Sequence, residues 1–317
     1  MYIIQKARKR KKYLYLVKSV RLPDGKTKKI EKTINKKKPL KKLEKEFEKY
    51  FLEKEKKLFQ EYALNTYKTD SIFTKEQIKK IEEIKVDYSR LLKVFVKEQY
   101  KDVFDRFTAN FTYESNAIEG SSLTLKDVAI VMFENMTIEG KDLREIYETR
   151  NSRKVVDLIL KKKFKITEKD IIKMHKILIQ NIDSRIGYKK FQNEIIGSNL
   201  ELTHPKKVKQ EMSELIEWYN EKNKVLNPVQ IAALFHGKFE KIHPFADGNG
   251  RVGRFIINTI LLNNNYPPLI VRKTQRQSYI KCLQDFHRGY TGNLERFMLE
   301  KYKKTFRKFF QVYLEYI

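Results

Sequence analysis

The chain has 317 residues, 41% of them hydrophobic, with 20 Phe and 18 Tyr, which is enough apolar mass for one good-sized domain or two smaller ones. Its one cysteine, Cys282, excludes an intramolecular disulfide and a thiolate metal cage, and no run approaches the roughly 18 apolar residues of a membrane span. A net charge of +28 invites an anionic partner, but it is unevenly spread: residues 1–56 hold 21 Lys or Arg against 7 Asp or Glu, or +14. Two readings of that basic end stand side by side: a Lys- and Glu-rich proteome, or an anionic partner such as nucleic acid. The opening MYIIQKARKRKKYLYL puts charges where a signal peptide needs its apolar run. The expected compartment is the cytoplasm, with no membrane attachment.

In chain order, Lys12 to Arg21 is a β-rich run, Pro23-Asp24-Gly25 signals a turn, and Thr27 to Ile34 alternates again. A basic β-hairpin or small sheet is expected there. Pro39 suits the first turn of a helix, and Leu40, Leu43, Phe47, Phe51, Leu52, Leu58 and Phe59 keep roughly helical spacing, which predicts a charged linker helix. Thr74 with Glu76 and Gln77 opens a long helical segment through about Asn110. Thr124 to Asp127 reads as a capping box, and helices follow over 141–162 and, capped by Thr167, over 168–181. Residues 185–208, with Ile186-Gly187, Ile195 to Asn199, Leu200, Leu202 and Pro205, predict a hairpin inside a helical protein. Helices return over 207–223, over 228–241, after Gly250, and twice between Arg276 and the C-terminus.

The chemistry is concentrated in His243-Pro-Phe-Ala-Asp247-Gly-Asn249-Gly250-Arg251-Val-Gly-Arg254, just before an apolar helix. Alone, Gly-Asn-Gly is ordinarily a turn and a single His a structural hydrogen-bonder. Together they outline a phosphate site. Glycines let backbone amides approach phosphate oxygens, a helix start supplies unpaired N–H groups, and Arg251 adds a charged fork. Asp247 is the kind of carboxylate a phosphate-bound Mg²⁺ takes, and His243 stands where a base could accept a proton from an attacking hydroxyl. No other His has the ligand spacing of a transition-metal site.

This string resembles the signature of the Fic family, HPF-x-[DE]-G-N-G-R-x-x-R, at every specified position. The likeness extends over roughly residues 70–300, where Ile195, Ile196, Gly197 and Ser198 look like the family's target-docking flap and Gly292 to Phe297 like its closing segment. The resemblance implies a general base at His243 and a Mg²⁺ ligand at Asp247. It implies ATP contacts at Phe245, Gly248, Asn249, Gly250, Arg251 and Arg254. Gly250, where phosphate-transferring relatives carry Lys, points to the adenylylating branch. Upstream, Ser115, Glu119 and Gly120 resemble the family's inhibitory helix, which implies that Glu119 competes with the γ-phosphate for Arg254.

The expected fold is mainly α, a Fic helical core with a small β-hairpin flap, preceded by a small basic β-hairpin region and a linker helix. Its divisions are 1–35 for the basic hairpin, 36–68 for the linker helix, 69–300 for the core with its inhibitory helix at 112–120, and 301–317 for a C-terminal helix. The expected function is protein adenylyl transfer: AMP passes from ATP, with Mg²⁺, to a Ser, Thr or Tyr hydroxyl of a protein target or of the chain itself. Assembly into an oligomer is compatible with this. Two alternatives are removal of AMP, with Glu119 orienting a water, and a nucleic-acid-binding regulator working through the basic N-terminus.

Overall fold

Alternation along the first 35 residues gives three antiparallel strands: β1 (Tyr2–Arg8), β2 (Lys11–Arg21) and β3 (Thr27–Ile34). The computed structural model describes residues 1–8, 11–35, 38–192 and 202–316. Registers Ile3↔Leu16 and Lys18↔Ile30 bring Leu16, Val20, Ile30 and Ile34 to one face. There they pack against Leu43 of α1 (Leu40–Glu46) and Phe51 of α2 (Glu48–Thr66). The expected hairpin is thus a three-stranded sheet. The linker helix expected over 36–68 is two helices, interrupted at Phe47, whose φ of −108° and ψ of 12° leave the helical region.

Polar contacts tie α2 to α3 (Lys75–Val94), among them Lys56 to Asp87 at 2.8 Å and Arg90 to Glu48 at 2.6 Å. Thr74 caps α3, its hydroxyl accepting from the Gln77 N–H at 3.3 Å. The segment expected to run on to Asn110 is broken at Phe95 and Val96, and α4 (Lys97–Ile118) begins afresh. The Gln99 side chain accepts the Val96 N–H there, a cap with no Gly or Pro to announce it. Next come α5 (Leu125–Ala129) with its Thr124–Asp127 capping box, a π-helical turn, α6 (Leu143–Leu160) and α7 (Glu168–Leu178) capped by Thr167.

The core is built round α9 (Pro228–Ile242) and α10 (Asn249–Asn263), which are buried along most of their lengths. Gly253 makes their approach close: a Cβ there would sit 2.6 Å from Glu240 Oε1 and 2.7 Å from His236 Nδ1. Helices α8 (Pro205–Lys222), α11 (Arg276–His287) and α12 (Gly292–Phe309) complete the shell. Because α12 runs unbroken from Gly292 to Phe309, no separate helix starts at 301; the chain ends in a short 3₁₀ turn. Of the expected flap, Ile195, Ile196, Gly197 and Ser198 lie outside the described residues. Its flanks are a single bridge between Tyr188 and Phe245 and the start of α8, which begins two residues before the expected Lys207 because Pro205 follows the capping His204. No helix among the described residues is long and apolar enough to cross a membrane.

Candidate active site

Between α9 and α10 the chain makes a loop that is stapled at both ends. His243 closes α9 in the left-handed region at φ 51° and ψ 59°, an uncommon place for a residue with a Cβ, held by its N–H to Phe239 O at 2.9 Å. Phe245 is fully buried and stacks on His175 of α7 with centroids 3.8 Å apart. Asn249 clasps Phe245 twice: its Oδ1 accepts the Phe245 N–H and its Nδ2 donates to the Phe245 carbonyl, both at 2.8 Å. His175 Nε2 lies 3.1 Å from the Asp247 carbonyl, and burial first of all pushes that imidazole down to about 4, so it is neutral and donates.

These contacts revise two expected ATP ligands. Phe245 is an anchor in the core and does not face the cleft, because its ring is spent on His175. Asn249 has committed its side chain to the loop, so its main-chain N–H is what it can offer a phosphate. Asn249→Ala is expected to lower the melting temperature by several degrees, since two buried hydrogen bonds, each worth about 1 kcal/mol, leave the Phe245 backbone unpaired. A melting curve matching the parent's would show that the clasp holds nothing.

Gly248, at φ 80°, turns the chain into α10 where an L side chain would be strained. The first turn of α10 opens on a cleft of about 1110 Å³, walled by the end of α4, the start of α6, residues 184–192 and α11. Asp247 sits at its mouth. Its Oδ1 accepts the Gly248 N–H at 2.6 Å, and its Oδ2 takes Arg144 at 2.5 Å and lies 3.8 Å from Arg251. Burial would raise its pKa, but Arg251, the Gly248 amide and Arg144 outweigh it and hold the carboxyl below its usual range. Arg251 is buried, with Nη1 in ion-pair contact with Glu148 at 3.1 Å but not in hydrogen-bond alignment.

The residues expected to form the brake are brought together. Arg254, 2% exposed, donates from Nε to Ser115 Oγ and from Nη2 to the Ser115 carbonyl, both at 2.9 Å, and from Nη2 to Glu119 Oε1 at 2.6 Å. Burial opposes the charge, yet Glu119 above all keeps the guanidinium pKa raised. Gly120 has its own part. At φ 108° it ends α4 with Gly120 N–H to Ala117 O at 3.3 Å and Ser121 N–H to Asn116 O at 3.1 Å, a Schellman closure that leaves Glu119 on the last turn. Arg276 of α11 donates to the Ile118 carbonyl at 2.8 Å and fixes that helix end. Glu119 Oε1 lies so close to Gly250 that a Cβ there would collide with it. The carboxylate therefore rests on the first turn of α10, where the helix start and Arg254 make a seat for an anion.

His243 lines the same cleft, with Nδ1 3.8 Å from Glu240 Oε2. Burial and then Lys189 push its imidazole down to about 4, so it is neutral at physiological pH. Arg144, Glu148, Lys189, Glu240 and Arg276 escaped the sequence reading, because each is ordinary in sequence and gains meaning only from its neighbours in space. Glu240 is buried among His236, His243, Arg254 and Glu119, and burial pushes its carboxyl up to about 8, Arg254 opposing and Glu119 adding. The folded chain thus holds a proton that the unfolded chain releases near pH 4.5, so this group costs stability progressively as pH rises from about 4.5 to 8. Buried neutral His175 and His236 act in the opposite sense below about pH 6.5. Glu240→Gln is expected to flatten the fall in melting temperature between pH 6.5 and 8; an unchanged slope in that window would mean that Glu240 does not take up the proton.

Among the described residues no group of three or more His, Cys, Asp or Glu could hold a metal ion. A nucleotide-bound Mg²⁺ needs only one or two protein oxygens, and Asp247, partly exposed on the cleft, can supply them.

Residues 165–261 match the Fic/DOC family model. The protein adenylyltransferase Fic of Drosophila virilis is 33% identical over 197 residues, which cover 61% of this chain and 41% of that protein. The protein of the same description from Drosophila melanogaster is 33% identical over 198 residues, covering 61% and 40%. The chain thus spans about two fifths of the length of these relatives. A Fic domain containing signaling protein from Bacteroides thetaiotaomicron superposes with a TM-score of 0.65 at 23% identity, over 72% of this chain and 94% of that one. Fic-1 from C. elegans gives 0.65 at 22% identity, over 74% and 70%. These two show a shared fold.

Proposed function

We propose, from the match of residues 165–261 to the Fic/DOC family model, that this chain transfers AMP from ATP to a hydroxyl of a protein, itself included, with Glu119 as a built-in brake. The observation that carries the reading is that His243, Asp247, the N–H groups of Asn249 to Arg251, and Arg254 converge on one cleft already seating a carboxylate. Among the described residues that line the cleft, seven are Arg or Lys and six are Asp or Glu, and it is Arg251 and Arg254, in the first turns of α10, that can meet a polyphosphate.

In the proposed reaction the target's Ser, Thr or Tyr oxygen attacks the α-phosphorus, the bond to the β-phosphate oxygen breaks, and pyrophosphate leaves. His243 accepts the hydroxyl proton. The helix start and Arg251 hold the α- and β-phosphates, and Arg254, once released by Glu119, holds the γ-phosphate. Asp247 would hold Mg²⁺, which supplies charge neutralisation at the phosphates. Asp247→Ala is therefore expected to lose the Mg²⁺-dependent part of ATP affinity by titration calorimetry. Unchanged Mg·ATP affinity would remove Asp247 from that role.

Incubation of the chain and its Glu119→Gly variant with ATP labelled on the α-phosphate tests the reading directly. Label is expected on protein, and more of it in the variant. Release of AMP from an already modified target, dependent on Glu119, would instead assign the chain to the opposite reaction.

A further inference from the structure

We infer that the outward face of the β1–β2–β3 sheet binds duplex DNA, an activity separate from the cleft. The inward face carries two cations that hold helices against it. On the inward face Lys18 pairs with Glu55 of α2 at 2.5 Å, and Lys32 lies over the rings of Phe47 and Tyr50 at 5.6 and 4.7 Å, so both serve to dock the helices. The registers Lys6↔Tyr13, Ile4↔Tyr15, Tyr2↔Val17, Val17↔Glu31, Ser19↔Lys29 and Arg21↔Thr27 place those residues together on the other face. The one acid there, Glu31, is already neutralised by Lys6 at 2.6 Å. Lys11, Arg21 and Lys29 are exposed, and among the described residues no acid pairs with them.

The arrangement fits a major groove. Lys11 and Arg21 stand at opposite ends of β2, ten residues or about 33 Å apart, so the cations bracket the long axis of the sheet. Two interstrand spacings make the sheet roughly 10 Å across, against a major groove about 12 Å wide that admits β structure. Cations at the ends can meet phosphates, while Ser19 and Thr33, uncharged and exposed, lie between them beside the fully buried Val17. The deep, narrow major groove of A-form RNA does not admit a sheet. Of the tyrosines on this face Tyr15 is covered by Lys6 at 5.3 Å, while Tyr2 and Tyr13 are exposed, so tighter binding of a single strand by stacking is the rival outcome that the test must separate.

The test is fluorescence anisotropy of the full chain with a labelled 20-base-pair duplex, its single strand, and heparin as competitor. Neutralising three phosphates predicts a weakening of about 40-fold between 50 and 200 mM salt. Duplex is expected to bind more tightly than its single strand, and Lys11→Glu with Arg21→Glu and Lys29→Glu to weaken it at least about tenfold. The same charge change on exposed α3 and α4 positions, Lys79→Glu with Lys80→Glu and Lys97→Glu, should cost less than about threefold. If the sheet variant fails to fold, the three glutamine substitutions take its place. Equal weakening by both sets, tighter binding of the single strand, or heparin competing as well per charge as unlabelled duplex would overturn the inference.

Discussion

His243→Ala is expected to abolish AMP transfer, by about 100- to 10,000-fold, while Mg·ATP still binds. The nucleotide's proposed contacts are the α10 start, Arg251, Arg254 and Asp247, none of which needs the imidazole. In the proposed reaction His243 supplies a place for one proton. Its burial keeps it neutral, with a pKa of about 4, which leaves it free to accept but makes it a weak base in the empty cleft. A polyphosphate brought alongside would raise that pKa, because a nearby negative charge favours imidazolium. The base should thus strengthen when the substrate arrives, and the kcat profile should show a higher apparent pKa than the kcat/KM profile. Both are to be measured with labelled ATP in the Glu119→Gly background, where turnover is easiest to see. Equal turnover by the alanine variant would remove His243 from the chemistry.

The cleft was legible in sequence to the extent that its residues are contiguous. His243 to Arg254 lies in twelve positions, so the spacing alone brings a base, a carboxylate, glycines and two guanidinium groups to one helix start. Ser115, Glu119 and Gly120 could be matched to Arg254 only by resemblance, and the structure joins them across 135 residues at 2.6 Å. What sequence could not give was the double use of side chains. Asn249 and Phe245 read as ligands because they sit in the motif, but their neighbours in space turn them into the loop's clasp and anchor. Arg144 shows the reverse case: an unremarkable residue at the start of α6 becomes the partner of Asp247, 103 positions away. The helix breaks at Phe47 and Phe95 were hidden for a similar reason, since neither carries Gly or Pro and the periodicity runs through both.

Glu119→Gly is expected to raise self-modification well above the parent's. The carboxylate is an anion bound in an anion's place: it holds Arg254 at 2.6 Å and presses on Gly250 in the first turn of α10. In the proposed reaction a γ-phosphate competing for that guanidinium must displace it, so ATP would meet a cleft whose phosphate seat is partly filled, and the α-phosphorus would not be held in line with the attacking oxygen. Removing the carboxylate has a cost in the empty protein. Breaking a fully buried pair takes about 3 to 5 kcal/mol, but Glu119 is 41% exposed and Ser115 keeps two bonds to Arg254, so a loss on the order of 1 to 2 kcal/mol is expected. Mg·ATP can replace the missing anion, and the variant should therefore regain more melting temperature on adding nucleotide than the parent does. Adding Arg254→Ala to Glu119→Gly should erase the gain in activity, because nothing then holds the γ-phosphate. Gly250→Ala separates the two halves of the device, since its methyl group would push Glu119 aside while intruding on the same seat; it should lose the brake's stabilising pair without gaining the variant's activity. Self-modification by Glu119→Gly no greater than the parent's, in a folded protein that binds Mg·ATP, would reduce Ser115 to Gly120 to an ordinary helix end closed by a glycine.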